Sequence, residues 1–265
     1  MTMISTMLDF RRRPASVANV LLLAGAALSA ACGTKDAAAP FEPTGPTGRV
    51  RFVNVITDTT RGRVNAILEG VPFGVNLTYA TSTPAALPAP NTALYSPIYA
   101  GNRTLVLKRT ADTNTVVATI AFAVAASQDQ TVYAAGGAAA STIANFVTTD
   151  DNTLSATQAR VRVVHLSPTA GAVDIFVTAP NADLATATPT LANVAVRTAS
   201  AYLAVPAGTY QVRVVPAGTA AAARAGAVAI NVASLALTAN TVRTIVAADN
   251  NIGGAPLRAF VLIDR

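Results

Sequence analysis

Tryptophan is absent from this chain, cysteine and histidine occur once each, and charged residues make up only 12% of it. Each scarcity excludes something. A single cysteine cannot close an internal disulfide, so no disulfide framework supports the fold. A single histidine, His165, rules out a histidine cluster for a metal ion. Basic residues outnumber acidic ones, for a formal charge of +6. Beyond residue 31 they are scattered, however, with no basic run interleaved with aromatics, so the footprint of a nucleic-acid binder is missing. Helical periodicity is also missing. The alanine runs 138–140 and 220–223 lie beside glycines and read as loops.

What is present begins with Cys32, which follows an arginine cluster (Arg11, Arg12, Arg13), an apolar run from Val17 to Ala30, and the small residues Ser29, Ala30 and Ala31. These are the three parts of a secretory signal. The apolar run is shorter than the roughly 20 residues a spanning helix needs, and Gly33, Thr34, Lys35 and Asp36 follow at once. The segment resembles a bacterial lipoprotein processing site. That resemblance implies removal of residues 1–31, acylation of the Cys32 thiol, and a membrane anchor of two or three acyl chains at about 0.8 kcal/mol per buried methylene. Resemblance to enterobacterial lipoprotein sorting further implies that Gly33, in place of an aspartate, directs passage to the outer membrane. Met1, Met3 and Met7 are alternative starts, each leaving the arginines ahead of the apolar run.

Residues 32–48 mix Pro, Gly and small side chains, which favours an extended, solvated tether. Fully extended, residues 33–48 would reach on the order of 50 Å. Beyond it the chain repeats. Arg49-Val50-Arg51-Phe52-Val53-Asn54-Val55 matches Arg160-Val161-Arg162-Val163-Val164-His165-Leu166. Tyr95 with Ala100-Gly101 parallels Tyr202 with Ala207-Gly208, and Phe146-Val147 parallels Phe260-Val261. Two copies are expected, over 49–152 and 158–265, separated by a polar break near Asp150-Asp151-Asn152-Thr153.

Short β-branched segments divided by Gly, Pro, Asn and Asp turns fill both copies. With about seven strands per copy, the expected fold is all-β: two tandem antiparallel β-sandwiches of immunoglobulin-like or transthyretin-like type. The Cys and Trp signature of true immunoglobulin domains is absent, so the cores must rest mainly on aliphatic packing.

The run Arg160 to Pro168, followed by Val173-Asp174-Ile175-Phe176-Val177 and then by Tyr202 to Tyr210, resembles the family known as Domain of Unknown Function 4397. The likeness covers 158–265 closely and 49–152 more loosely. Asn54 stands where the family has His, and Tyr99-Ala100-Gly101 replaces its Pro-Ala-Gly turn. The family implies secreted or surface-attached bacterial proteins, often with tandem copies, and no established activity.

Few residues offer chemistry. His165 shares a strand face with Val161 and Val163, just before Ser167-Pro168, where an imidazole usually bonds a loop carbonyl and fixes a turn. Ser167 and Asp174 are too close to it in sequence to build a triad readily. The pairs Arg49/Arg51 and Arg160/Arg162 each lie on one strand face. They read either as an anion-binding surface or, more simply, as solvent-facing arginines on a first, edge strand that discourage edge-to-edge pairing. No catalytic residues, cofactor or metal are expected. The function this supports is a non-enzymatic, lipid-anchored envelope protein presenting two modules to an envelope protein or glycan. A structural spacer, or an uncharacterised enzyme, are the alternatives.

Overall fold

The computed structural model describes residues 45–84, 94–138 and 142–265. Cys32, the signal segment and nearly all of the tether lie outside the described residues.

The first copy comprises β1 (Thr47–Ile56), β2 (Val64–Leu68), β3 (Val71–Leu77), β4 (Thr81–Thr83), β5 (Ser96–Tyr99), β6 (Gly101–Arg109), β7 (Asp112–Val124), β8 (Asp129–Gly136) and β9 (Ile143–Asp150). The second repeats the plan in β10 (Gln158–His165), β11 (Val173–Thr178), β12 (Leu191–Val194), β13 (Thr198–Ala199), β14 (Leu203–Pro206), β15 (Gly208–Pro216), β16 (Ile230–Leu237), β17 (Thr241–Ala248) and β18 (Arg258–Ile263). Each copy is a pair of sheets. In the first, one sheet runs β4-β1-β8-β9, with β5 also on β1, and the other runs β3-β2-β6-β7. In the second they run β13-β10-β17-β18, with β14 also on β10, and β12-β11-β15-β16.

Three expectations need correction. Each copy has nine strands among the described residues rather than about seven, because short flanking strands such as β4 and β13 carry too little pattern to be seen. Pairing is not purely antiparallel, since β1 runs parallel to β8 and β10 parallel to β17. A parallel pair needs a long crossover, and in each copy the second sheet supplies it. The alanine run at 220–223 does not stay irregular but enters a short 3-10 helix, Ala221–Ala227. Its Arg224 lies over the Phe176 ring at 5.2 Å and donates to the Leu184 and Ala187 carbonyls, so tertiary contacts order a segment that lacks a cap.

Alternation along β1 and β10 explains where the cores lie. In β1, Val50, Phe52 and Ile56 point into the first sandwich with Val64, Leu105, Leu107 and Ile120. In β10, Val161 and Val163 join Ile175, Val212, Val214 and Ile245 in the second. The opposite faces are buried as well. Val53, Val55, Tyr133, Val164, Leu166, Val246 and Leu262 form one apolar cluster drawn from both copies. The sheets containing β1 and β10 therefore pack on each other. Burying each such side chain contributes about 1.5–3 kcal/mol relative to exposure, which explains why both strands are nearly continuous in apolar residues.

Candidate functional site

At the end of this shared face where β1 and β10 begin, apolar contact gives way to charge. Arg51 and Arg162 are each only 2% exposed. This overturns the reading of them as solvent-facing edge arginines: β1 and β10 are interior strands, and the face that carries Arg51 and Arg162 meets the other copy. The arginines bond across the junction. Arg51 Nη2 donates to Asp264 Oδ1 at 2.6 Å, Nη1 to the Ile263 carbonyl at 2.8 Å, and Nε and Nη2 to Thr131 Oγ1. Arg162 repeats the pattern in reverse. It donates to Asp150 Oδ1, to the Thr149 carbonyl at 3.1 Å, and to Thr244 Oγ1 at 2.8 Å.

Each carboxylate is completed by its own copy. Tyr95 and Thr131 hydroxyls donate to Asp150, and those of Tyr202 and Thr244 donate to Asp264. Each tyrosine ring in turn lies under the arginine of its own copy, at 4.7 Å for Arg51 over Tyr95 and 4.8 Å for Arg162 over Tyr202. Burial alone would lower the Arg51 pKa, but Tyr95, Asp264, Tyr133 and Asp150 outweigh it and hold it above the ordinary guanidinium value. Burial lifts the Tyr95 hydroxyl well above its ordinary value, with Arg51 opposing. The arginines stay cationic and the tyrosines stay neutral donors. A buried ion pair with every donor engaged is the condition under which such a pair is tolerated.

Arg49 and Arg160, two residues earlier, reach towards solvent. Arg49 grips Asp129 with both Nε and Nη2, at 2.6 and 2.5 Å, and Asp129 also accepts from Asn152 Nδ2 at 2.6 Å. Arg160 pairs with Asp151 at 2.6 Å. Arg49, Asp129, Asn152 and Asp151, but not Arg160, border a polar cleft of about 660 Å³ whose walls also include Thr47, Ser127 and Thr149. A cleft of this size is on the scale of small-ligand sites, roughly 300–1,000 Å³.

His165 is fully buried, and its Nε2 meets the Gly171 carbonyl at 2.7 Å, as expected of a turn-fixing imidazole. Burial lowers its pKa, against the opposing influence of the Gly171 and Ala247 carbonyls and Asp249. Asn54, its counterpart, performs the same task by donating to the Gly62 carbonyl at 2.6 Å. Ser167 donates not to His165 but to Asp249, and Asp174 accepts the Asn193 amide at 2.9 Å, so the three do not assemble a triad. Sequence reasoning missed Asp150, Asp264, Thr131 and Thr244. The signal was the recurrence of Asp at the end of each copy, four residues after the paired Phe: Asp150 after Phe146 and Asp264 after Phe260.

Among the described residues no group of His, Cys, Asp and Glu could hold a metal ion, and no helix is long and apolar enough to cross a membrane. A family model for the domain of unknown function DUF4397 matches residues 48–176 and again 177–265. The chain belongs to the DUF4397 family. The two matched segments of this DUF4397 protein meet between Phe176 and Val177, inside β11, rather than at the polar break. Among curated proteins none matches the sequence.

Proposed function

We propose that this DUF4397 protein is a non-enzymatic component of the bacterial cell envelope, held to the outer membrane by acyl chains on Cys32, that binds a glycan in the polar cleft. The observation that supports this most is the fixed set of donors and acceptors there: Arg49 clamped by Asp129, and Asp129 clamped by Asn152. Because Arg49 and Asp129 neutralise each other, the cleft favours a neutral, hydroxyl-rich ligand over a phosphate, which would have to displace Asp129. The Thr47, Ser127 and Thr149 hydroxyls can each donate and accept. The tether joins the fold at this cleft, since Thr47 and Gly48 form part of its wall. His165, Ser167 and Asp249 are occupied in holding turns, which supports the non-enzymatic reading.

Two experiments test it. Cells fed a palmitate analogue should label the wild-type protein and leave Cys32→Ser unlabelled; equal labelling would remove the anchor. Full-length protein in detergent, titrated calorimetrically with soluble peptidoglycan fragments and envelope oligosaccharides, should bind at least one. Asp129→Asn, which frees Arg49 from its ion pair, should weaken that binding at least about tenfold. If no glycan binds or shifts the melting temperature, a spacer role replaces the binding role.

A further inference from the structure

The two copies meet about a pseudo-twofold relation, so the far end of the shared face has two equivalent corners, and they are not filled alike. Register identifies the equivalence. Asn54 pairs with Thr81 and His165 with Thr198, so Tyr79 and Val196 occupy matching positions two residues earlier. The intervening Ala80 and Arg197 match in backbone too, with φ of 61° and 58°. In the first corner Tyr79 packs edge-on against Phe260, with centroids 6.3 Å apart, and donates to the Asp249 carbonyl. Arg258, on β18 opposite Ala248, is near enough to act on the Tyr79 hydroxyl. In the second corner Val196 replaces the tyrosine, and Ala144, opposite Ala135 on β9, replaces the arginine. Both large side chains are lost, leaving a pocket of about 500 Å³ whose walls include Ala135, Ala144, Leu166, Pro168 and Val196.

One group is gained. Arg197, where the filled corner has Ala80, is exposed at the rim of this pocket and has no ion-pair or hydrogen-bond partner for its guanidinium among the described residues. Its amide is bonded to the His165 carbonyl at 2.7 Å, which fixes the backbone from which it reaches.

We propose that the open corner binds a small planar aromatic ligand carrying a carboxylate, with the ring in the space that Tyr79 fills in the other copy and the carboxylate on Arg197. The apolar walls match a ring, the filled corner demonstrates that a phenol is compatible with this backbone, and a guanidinium matches a carboxylate in bidentate geometry. The pocket lies at the opposite end of β8 from the polar cleft, Gly136 bordering one and Asp129 the other, so it does not depend on the glycan reading.

The test uses full-length protein in detergent with three probes: 4-hydroxybenzoate, 4-methylphenol and acetate. Amide chemical shifts of Ala135, Ala144 and Val196 should move saturably with the two aromatic probes and not with acetate. Arg197→Gln should weaken 4-hydroxybenzoate about tenfold and leave 4-methylphenol within about twofold. Val196→Tyr, which recreates the filled corner, should abolish binding of both. Failure of either aromatic probe to bind, shifts confined to other residues, equal response to acetate, or a Val196→Tyr protein that binds like wild type would each overturn the proposal. If Val196→Tyr does not fold, the wild-type shift map and Arg197→Gln still decide it.

Discussion

Arg51 and Arg162 are charges that the fold has taken out of water, each neutralised by a carboxylate from the other copy. Removing one partner leaves the other buried and unpaired, at about 3–5 kcal/mol. Arg51→Met should therefore lower the urea midpoint strongly, because Asp264 would retain only the Tyr202 and Thr244 hydroxyls. Replacing Arg51 and Asp264 together by apolar residues of similar size should cost much less. Unchanged unfolding of the single variant would contradict the network. His165 gives a second residue-scale prediction. Its folded pKa lies below the ordinary 6.5, so in the window between the two values the unfolded chain binds more protons. Stability is complete above about pH 6.5 and falls as pH drops through that window. Thermal melts at neutral and mildly acidic pH should show this loss in the wild type and a smaller one in His165→Asn, which imitates Asn54.

At the scale of elements, β1 and β10 organise the molecule because both their faces are covered. Their near-continuous apolar sequence signals this. Alternation identified Val50 and Phe52 as one face and Arg51 and Val53 as the other, but arginine on the second face suggested water. Gly48 shows how closely β1 is packed at its start: a Cβ there would lie 2.2 Å from the Ala125 carbonyl oxygen. Gly48→Ala should destabilise the protein by about 1–3 kcal/mol, the usual range for overpacking. Gly226→Ala, with nothing within 4 Å of the new atom, should change denaturant stability little, and an equal loss in both would refute the packing explanation. Elements with little pattern of their own stayed hidden. The strands β4 and β13 exist because β1 and β10 offer them an edge, and the 3-10 helix at Ala221–Ala227 exists because Arg224 docks on Phe176.

For the whole molecule, the shared apolar cluster and the reciprocal ion pairs make the two copies a single thermodynamic unit. Separating them would expose Val53, Val55, Val164 and Leu166 and strand two buried arginines. Calorimetry of the full chain should accordingly show one folded-region transition whose calorimetric and van't Hoff enthalpies agree. Two independent transitions would mean that the copies fold separately. Near-symmetry also accounts for the candidate sites. The polar cleft and the open corner both lie where the copies differ, at Asp129 against Val242 and at Val196 against Tyr79.

The sequence by itself determined the longer strands, the duplication and the turn role of His165, because period-two alternation, internal likeness and a polar residue beside a turn are properties of the chain's local order. Only the tertiary structure decided what covers each strand face. Alternation separates two faces without saying whether water or another sheet meets them, and Arg51 is compatible with either until Asp264, more than two hundred residues away, is brought to 2.6 Å. The same reason hid the open corner. A cavity is the absence of two side chains at one point in space, and Val196 and Ala144 are ordinary residues until the fold sets them side by side.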